Sequence, residues 1–129
     1  MEPATARPNL LCIEDEHFIG ELYTRALTNA GYDVVVIADG EAALAEAEKN
    51  TYDIILLDIM LPSMNGVEIL RRLKNPERQP VLKAKIIITT NLDQEEDTRK
   101  KIEHMADGYI IKAEITPREL VTYLSQIQL

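Results

Sequence analysis

Five short apolar runs alternate along the chain with five segments of helical periodicity, and this alternation narrows the possible folds more than any other feature. The runs cover residues 10–13, 33–38, 53–57, 85–89 and 108–111. Strand-length runs separated by helices require right-handed crossovers, and therefore a parallel sheet covered by helices on both faces. The stretches 34–38, 54–57 and 86–88 are nearly continuous in apolar residues, which predicts strands buried from both sides. The expected fold class is α/β, doubly wound.

The helical segments carry their own signals. Within 16–30, Phe18, Ile19, Leu22, Ala26 and Ala30 recur at helical spacing, and Gly31 offers a stop. Asp39 is placed to cap an alanine-rich helix over 41–49. Asn65 with Glu68 has the spacing of a capping box ahead of Val67, Ile69, Leu70 and Leu73, and Asp93 with Glu96 has it ahead of a fourth helix reaching Met105. Thr116, Pro117 and Glu119 combine a capping hydroxyl, a proline in the first turn and a glutamate three residues after the cap. That start precedes Leu120, Val121, Leu124 and Ile127.

A length of 129 residues suits one domain with a real core, expected over 9–129 after a loose tail at 1–8. Every uninterrupted apolar run, 54–57 included, is far short of the ~20 apolar residues of a membrane span. The first residues lack the basic start and apolar stretch of a signal peptide, so the expected location is cytoplasmic. With 22 acidic and 14 basic residues the net charge is −8, which argues against direct nucleic-acid binding. The short basic run at 99–101 reads as solvated helix surface. The lone Cys12 lies inside an apolar run and reads as a buried, unreactive thiol. His17 and His104 have no metal-ligand spacing and read as ordinary helix residues.

In this fold class ligands bind beyond the carboxyl ends of the strands. The polar residues there are Glu14 and Asp15 after the first run, Asp58 after the third, Thr89 and Thr90 after the fourth, and Lys112 after the fifth. If those strands are neighbours, three carboxylates, a hydroxyl and an ammonium converge. Clustered carboxylates repel one another, and a hard divalent cation such as Mg²⁺ relieves that repulsion while leaving room for a phosphate. One carboxylate could then attack phosphorus, with ammonium and hydroxyl meeting the phosphoryl oxygens. Asp58 is the natural nucleophile, because it is central and follows the most apolar strand.

The same residues resemble the response-regulator receiver domains of bacterial two-component signalling, in the CheY-like superfamily. The matching pieces are 11–15 ending in Glu14-Asp15, 53–66 with Asp58, Pro62 and Gly66, 86–89 ending in Thr89, and 106–112 ending in Lys112. The resemblance implies a flavodoxin-like (βα)5 fold with strand order 2-1-3-4-5. It implies that Glu14, Asp15, Asp58 and the backbone carbonyl of Met60 hold Mg²⁺. It further implies that Asp58 accepts a phosphoryl group from the phosphohistidine of a sensor histidine kinase or phosphotransfer protein. Thr89 and Lys112 would hold the phosphoryl group, and Tyr109 would be the aromatic switch. The output surface would be the fourth helix, fifth strand and fifth helix, read by a downstream effector, with the protein a monomer or a transient homodimer on phosphorylation.

Some positions depart from the family's common pattern. Glu14 stands in an acidic pair that is more often Asp-Asp, and Thr90 stands where a small residue is usual. Asn91 and Met60 occupy positions that tune hydrolysis of the acyl phosphate. Ala113 replaces a frequent proline after Lys112, so a trans bond is expected there; cis would cost roughly 2.5–4 kcal/mol. Three other readings compete. A Mg²⁺-dependent phosphatase or phosphotransferase of similar topology would want a second carboxylate two residues after the nucleophile, where Met60 stands. An FMN-binding flavodoxin-like protein would want a phosphate cradle after the first strand, which is acidic here. The chain could also be the receiver part of a larger transcription regulator or hybrid kinase.

Overall fold

The computed structural model describes residues 7–91 and 93–129. The chain alternates β1 (Asn9–Ile13), α1 (His17–Asn29), β2 (Asp33–Ile37), α2 (Gly40–Ala47), β3 (Ile54–Asp58), α3 (Gly66–Leu73), β4 (Lys85–Thr90), α4 (Glu96–Met105), β5 (Gly108–Ile111) and α5 (Pro117–Ser125). The strands form one parallel sheet in the order β2-β1-β3-β4-β5. This is the expected (βα)5 arrangement, and it puts β3 at the centre. Of the expected tail, residues 1–6 lie outside the described residues. Arg7 bonds the Asp33 carboxylate and the Thr28 and Tyr32 carbonyls, while the Pro8 carbonyl accepts from Asp33 N.

The sheet separates two apolar layers. Leu11, Ile13, Ile55, Leu57, Ile86 and Ile88 face α2, α3 and α4, where Leu44, Ile69, Leu70 and Ile102 meet them. Leu10, Cys12, Ile54, Leu56 and Ile87 face α1 and α5, against Tyr23, Leu27, Leu120 and Leu124. The alternation along each strand is the two-residue period of a pleated chain with helices on both sides. Cys12 is buried, and burial pushes its thiol up to about 12, which keeps it protonated and inert.

Four local expectations are corrected. β2 is not buried from both sides: Val35 and Val36 are 42% and 40% exposed, because β2 is an edge strand. On α1 the buried face runs through Ile19, Tyr23 and Leu27, four residues apart, and Phe18 points to solvent. Asn65 caps α3 through Val67 N, but Glu68 turns forward to Arg71 and Arg72 instead of back to Asn65. Asp93 does not cap α4, which starts after Glu95 with no side-chain cap; Asp93 pairs with Arg99 instead. In contrast, Asp39 caps α2 and Thr116 with Glu119 forms the complete capping box of α5.

Candidate functional site

Strand order decides which polar ends meet. β3 lies between β1 and β4, so Asp58 ends the central strand with Glu14 and Asp15 just beyond β1 on one side. On the other side Asp58 pairs in register with Thr89 of β4. Lys112 follows β5 in a single turn of 3₁₀-helix, Lys112–Glu114, and reaches back across β4. Among the described residues the cis peptide is Gln79–Pro80, so Lys112–Ala113 is trans as expected.

The reach of Lys112 creates a buried ionic core. Its Nζ lies 2.6 Å from Glu14 Oε1 and 3.0 Å from Asp58 Oδ2, and all three side chains are at most 3% exposed. The other Asp58 oxygen, Oδ1, accepts from Met60 N at 3.0 Å. Glu14 Oε2 accepts from Glu16 N at 3.1 Å. Both buried carboxylates thus have partners on both oxygens. The β3–α3 loop is held tightly against this core, because a Cβ on Gly66 would collide with the Asp58 carbonyl oxygen and come within 2.7 Å of Ile59 Cα. Only glycine lets α3 start so close to the Asp58 backbone.

Burial raises the carboxyl groups of Asp58 and Glu14, and the hydrogen bonds from Lys112 offset that rise only in part. For Lys112, burial favours the neutral amine, but the bonds to Glu14 and Asp58 outweigh it and raise the ammonium's pKa. The lysine therefore keeps its proton. Two buried carboxylates and the exposed Asp15 outnumber that single cation, so the site carries excess negative charge.

Oxygens of Glu14, Asp15 and Asp58 lie within 4.8 Å of one another, close enough to share one ion. Three carboxylates form a hard oxygen set that fits Mg²⁺, and the exposure of Asp15 leaves open positions for water or a phosphoryl oxygen. A divalent cation bound there would offset the excess negative charge of the three carboxylates.

Not every expected residue joins this core. Thr89 is 2% exposed beside Asp58 in register, and Met60 contributes its N–H while its side chain is 59% exposed. Thr90 is fully buried and, as the next strand residue, projects to the opposite face from Thr89. Tyr109 stands apart, paired with Ile88 across β4. Its hydroxyl donates to Asp93 Oδ1 at 3.0 Å and accepts from Gln94 N at 3.1 Å, and Arg99 covers its ring at 4.5 Å from the centroid. Sequence reasoning missed Glu16, whose Oε2 lies 3.7 Å from Lys112 Nζ. The run Glu14-Asp15-Glu16 was the available signal, but the third acid also reads as an ordinary helix start.

Comparison with known proteins matches this arrangement. The model of the response regulator receiver domain covers residues 10–125. The response regulator ArlR of Staphylococcus haemolyticus is 38% identical over 104 residues, which is 81% of this chain and 45% of that protein. The alkaline phosphatase synthesis transcriptional regulatory protein PhoP of Bacillus subtilis is 39% identical over 111 residues, 86% of this chain and 44% of that protein. The chain thus spans less than half the length of these curated relatives. Among solved structures, the BeF3-activated N-terminal receiver domain of Klebsiella pneumoniae RstA superposes with a TM-score of 0.77 at 29% identity, covering 91% of this chain and 95% of that one. The chemotaxis protein CheY4 of Vibrio cholerae gives 0.79 at 27% identity, covering 95% and 100%. The chain belongs to the response-regulator receiver-domain family, and is a phosphorylation switch in which Glu14, Asp15 and Asp58 form an acidic cluster positioned to hold a divalent metal ion such as Mg²⁺.

Proposed function

We propose that Asp58 is the phosphoacceptor, loaded from the phosphohistidine of a sensor histidine kinase or phosphotransfer protein. The observation that carries this is the asymmetric grip on Asp58: Oδ1 takes the Met60 N–H, and Oδ2 takes the Lys112 ammonium beside the metal-binding acids. An Asp58 oxygen attacks phosphorus, the phosphorus–nitrogen bond of the donor breaks, and the imidazole leaves with a proton from solvent. Mg²⁺, when bound by Glu14, Asp15, Asp58 and the Met60 carbonyl, supplies charge neutralisation for the phosphoryl oxygens. Lys112 exchanges its bond to Asp58 for one to a phosphoryl oxygen, and Thr89, next to Asp58 on β4, donates its hydroxyl to another.

Tyr109 follows that change through β4, since its strand neighbours pair with the strand that carries Thr89. The signal leaves through α4, β5 and α5 to a downstream effector, with the domain a monomer or a transient homodimer. No helix among the described residues is long and apolar enough to cross a membrane. Names such as PhoP and the DNA-binding response regulator MtrA belong to relatives about twice as long, so an attached output domain is the natural effector where this chain is part of a longer regulator.

Intact-mass measurement after incubation with acetyl phosphate tests the assignment. Wild-type protein should gain one phosphoryl group in Mg²⁺ and none without it, and Asp58→Asn should gain none. A gain that survives in Asp58→Asn would move the phosphoacceptor elsewhere.

A further inference from the structure

β2 borders the sheet on the side away from β5, and among the described residues nothing guards that border. It pairs with β1 alone, in a register that runs from Asp33 to Ile37 without a bulge. Asp33 N donates to the Pro8 carbonyl at 2.9 Å, and the Ile37 carbonyl accepts from Glu14 N at 3.1 Å, so the odd-numbered residues aim their backbone groups toward β1. Backbone direction alternates along a strand, which leaves the N–H and C=O of Val34 and Val36 facing outward. Edge strands are usually blunted by a charge, a proline or a bulge, since an open edge templates pairing with another strand. Here no charged residue and no proline stands between Asp33 and Asp39. The Asp33 carboxylate is itself matched by Arg7 at 2.9 Å, and Val35 and Val36 are the two most exposed valines of the strand. Alongside, Gly20, Glu21, Thr24 and Arg25 of α1 line a groove of about 740 Å³ with Val36.

We propose that β2 is a self-association surface, on which a second copy of this chain lays its own β2 antiparallel and joins the two sheets into one. A two-fold axis through Val35 satisfies the outward groups directly. Val34 of each copy exchanges N–H and C=O with Val36 of the other, and the two Val35 side chains meet at the non-hydrogen-bonded position, where cross-strand neighbours are closest. The charges on α1 fit the same axis. α1 runs antiparallel to β2, and Gly20 lies beside Val36, since a Cβ there would come within 3.3 Å of Val36 Cγ1. With rises of ~3.3 Å per strand residue and ~1.5 Å per helix residue, the level of Val35 falls about two residues after Gly20. Glu21 and Arg25 therefore lie on opposite sides of the axis, and each faces its opposite charge on the other copy. That reciprocity singles out a second copy over an unrelated strand, because a two-fold interface needs a patch complementary to itself. The association goes beyond the phosphorylation switch and does not depend on it, since β2 and the α4–β5–α5 surface lie on opposite borders of the sheet. A strand edge and one helix face form a small interface of the transient class, so the two copies should separate on dilution.

Sedimentation velocity of the unphosphorylated protein, from micromolar to near-millimolar concentration, tests this alongside the melting curve of each variant. Wild type should pass from monomer to dimer as its concentration rises, with no phosphoryl donor present. Val35→Lys leaves every backbone bond to β1 in place and sets two ammonium groups against each other at the axis, so it should stay monomeric throughout. Arg25→Glu should weaken association about tenfold, and combining it with Glu21→Arg should restore the wild-type constant, because the double exchange keeps both the pairs and the net charge. The charge exchange decides the matter even where Val35→Lys lowers the melting midpoint. A wild type that remains monomeric at the highest concentration would overturn the second copy as occupant and leave the edge to a strand of another protein. A dimer that survives Val35→Lys, or a double exchange no stronger than Arg25→Glu alone, would overturn pairing through β2.

Discussion

Two ionic clusters stand near the two ends of β5, and they obey different physics. At its carboxyl end, Lys112 joins Glu14 and Asp58 with side chains 3%, 1% and 3% exposed. Nearer its start, Tyr109 meets Asp93 and Arg99, whose side chains are 47% and 36% exposed. In the first cluster every charge has left water, so each depends on its partners and losing one strands the others. In the second, water competes for every contact, and the net contribution to stability is small. A cluster that must hold a nucleophile in one geometry suits the first kind. If Tyr109 is a switch, as proposed, the second kind suits it, because the alternatives of an exposed cluster differ by little free energy.

The strongest way to break this contrast is Lys112→Met, which keeps the length of the side chain and removes the charge. It leaves Glu14 and Asp58 buried against each other with no cation. The expected loss is about 3–5 kcal/mol of stability, the usual cost of removing one partner of a buried ion cluster. Mg²⁺ should raise the melting midpoint of the variant more than that of wild type, since the ion replaces the missing charge and binds the folded state. A variant that melts with wild type in the absence of Mg²⁺ would show that the buried cluster is not held by its lysine.

A smaller effect is expected from Gly66→Ala, which touches the buried cluster only through backbone. The new methyl would press on the Asp58 carbonyl oxygen and Ile59 Cα, both parts of the main chain that cannot rotate away. Overpacking of this kind costs typically about 1–3 kcal/mol. Because the displaced atom belongs to Asp58 itself, loading by acetyl phosphate should slow as well, measured as initial rate by intact mass. Slower loading with an unchanged melting midpoint would place the whole effect on the nucleophile's position, and normal loading would show that the β3–α3 loop can yield without moving Asp58.

The two clusters also differ in how far sequence announces them. Glu14, Asp58 and Lys112 each follow an apolar run directly, and a charge in that place has few structural reasons to exist. Strand order then brings them together, and the alternation of elements already implied a parallel sheet. Asp93 gave no such signal. Its spacing to Glu96 is that of a capping box, and local sequence cannot tell a cap from a carboxylate that prefers Arg99 six residues on. Glu68 was misjudged in the same way, since Arg71 and Arg72 on the next turn compete for it. For β2 the limit is different. Val34, Val35 and Val36 are as apolar as a central strand, and only the sheet order reveals that no strand covers their outer edge. Contacts set by loops from distant strands, such as Glu16 with Asn91, depend on that order and on side-chain reach together, so they become visible only in three dimensions.

The smallest stability effect should come from the exposed cluster, and it is the one that most sharpens the comparison. Arg99→Ala removes the guanidinium over the Tyr109 ring, the pair with Asp93 and the pair with Glu103. All of these are open to water, so the melting midpoint should move by less than about 2 °C. The ring itself should respond clearly. Burial raises the Tyr109 phenol and the Asp93 carboxylate adds to that rise, while the nearby Arg99 charge opposes it. Without Arg99 the phenol should ionise at still higher pH, which is the direction expected when a cation beside a phenolate is lost. An ultraviolet titration of the tyrosines, with Tyr109→Phe to identify its contribution, reads this directly. A large drop in stability would mean that the exposed cluster is as rigid as the buried one, and Tyr109 would then be fixed in place, against its proposed role as a switch.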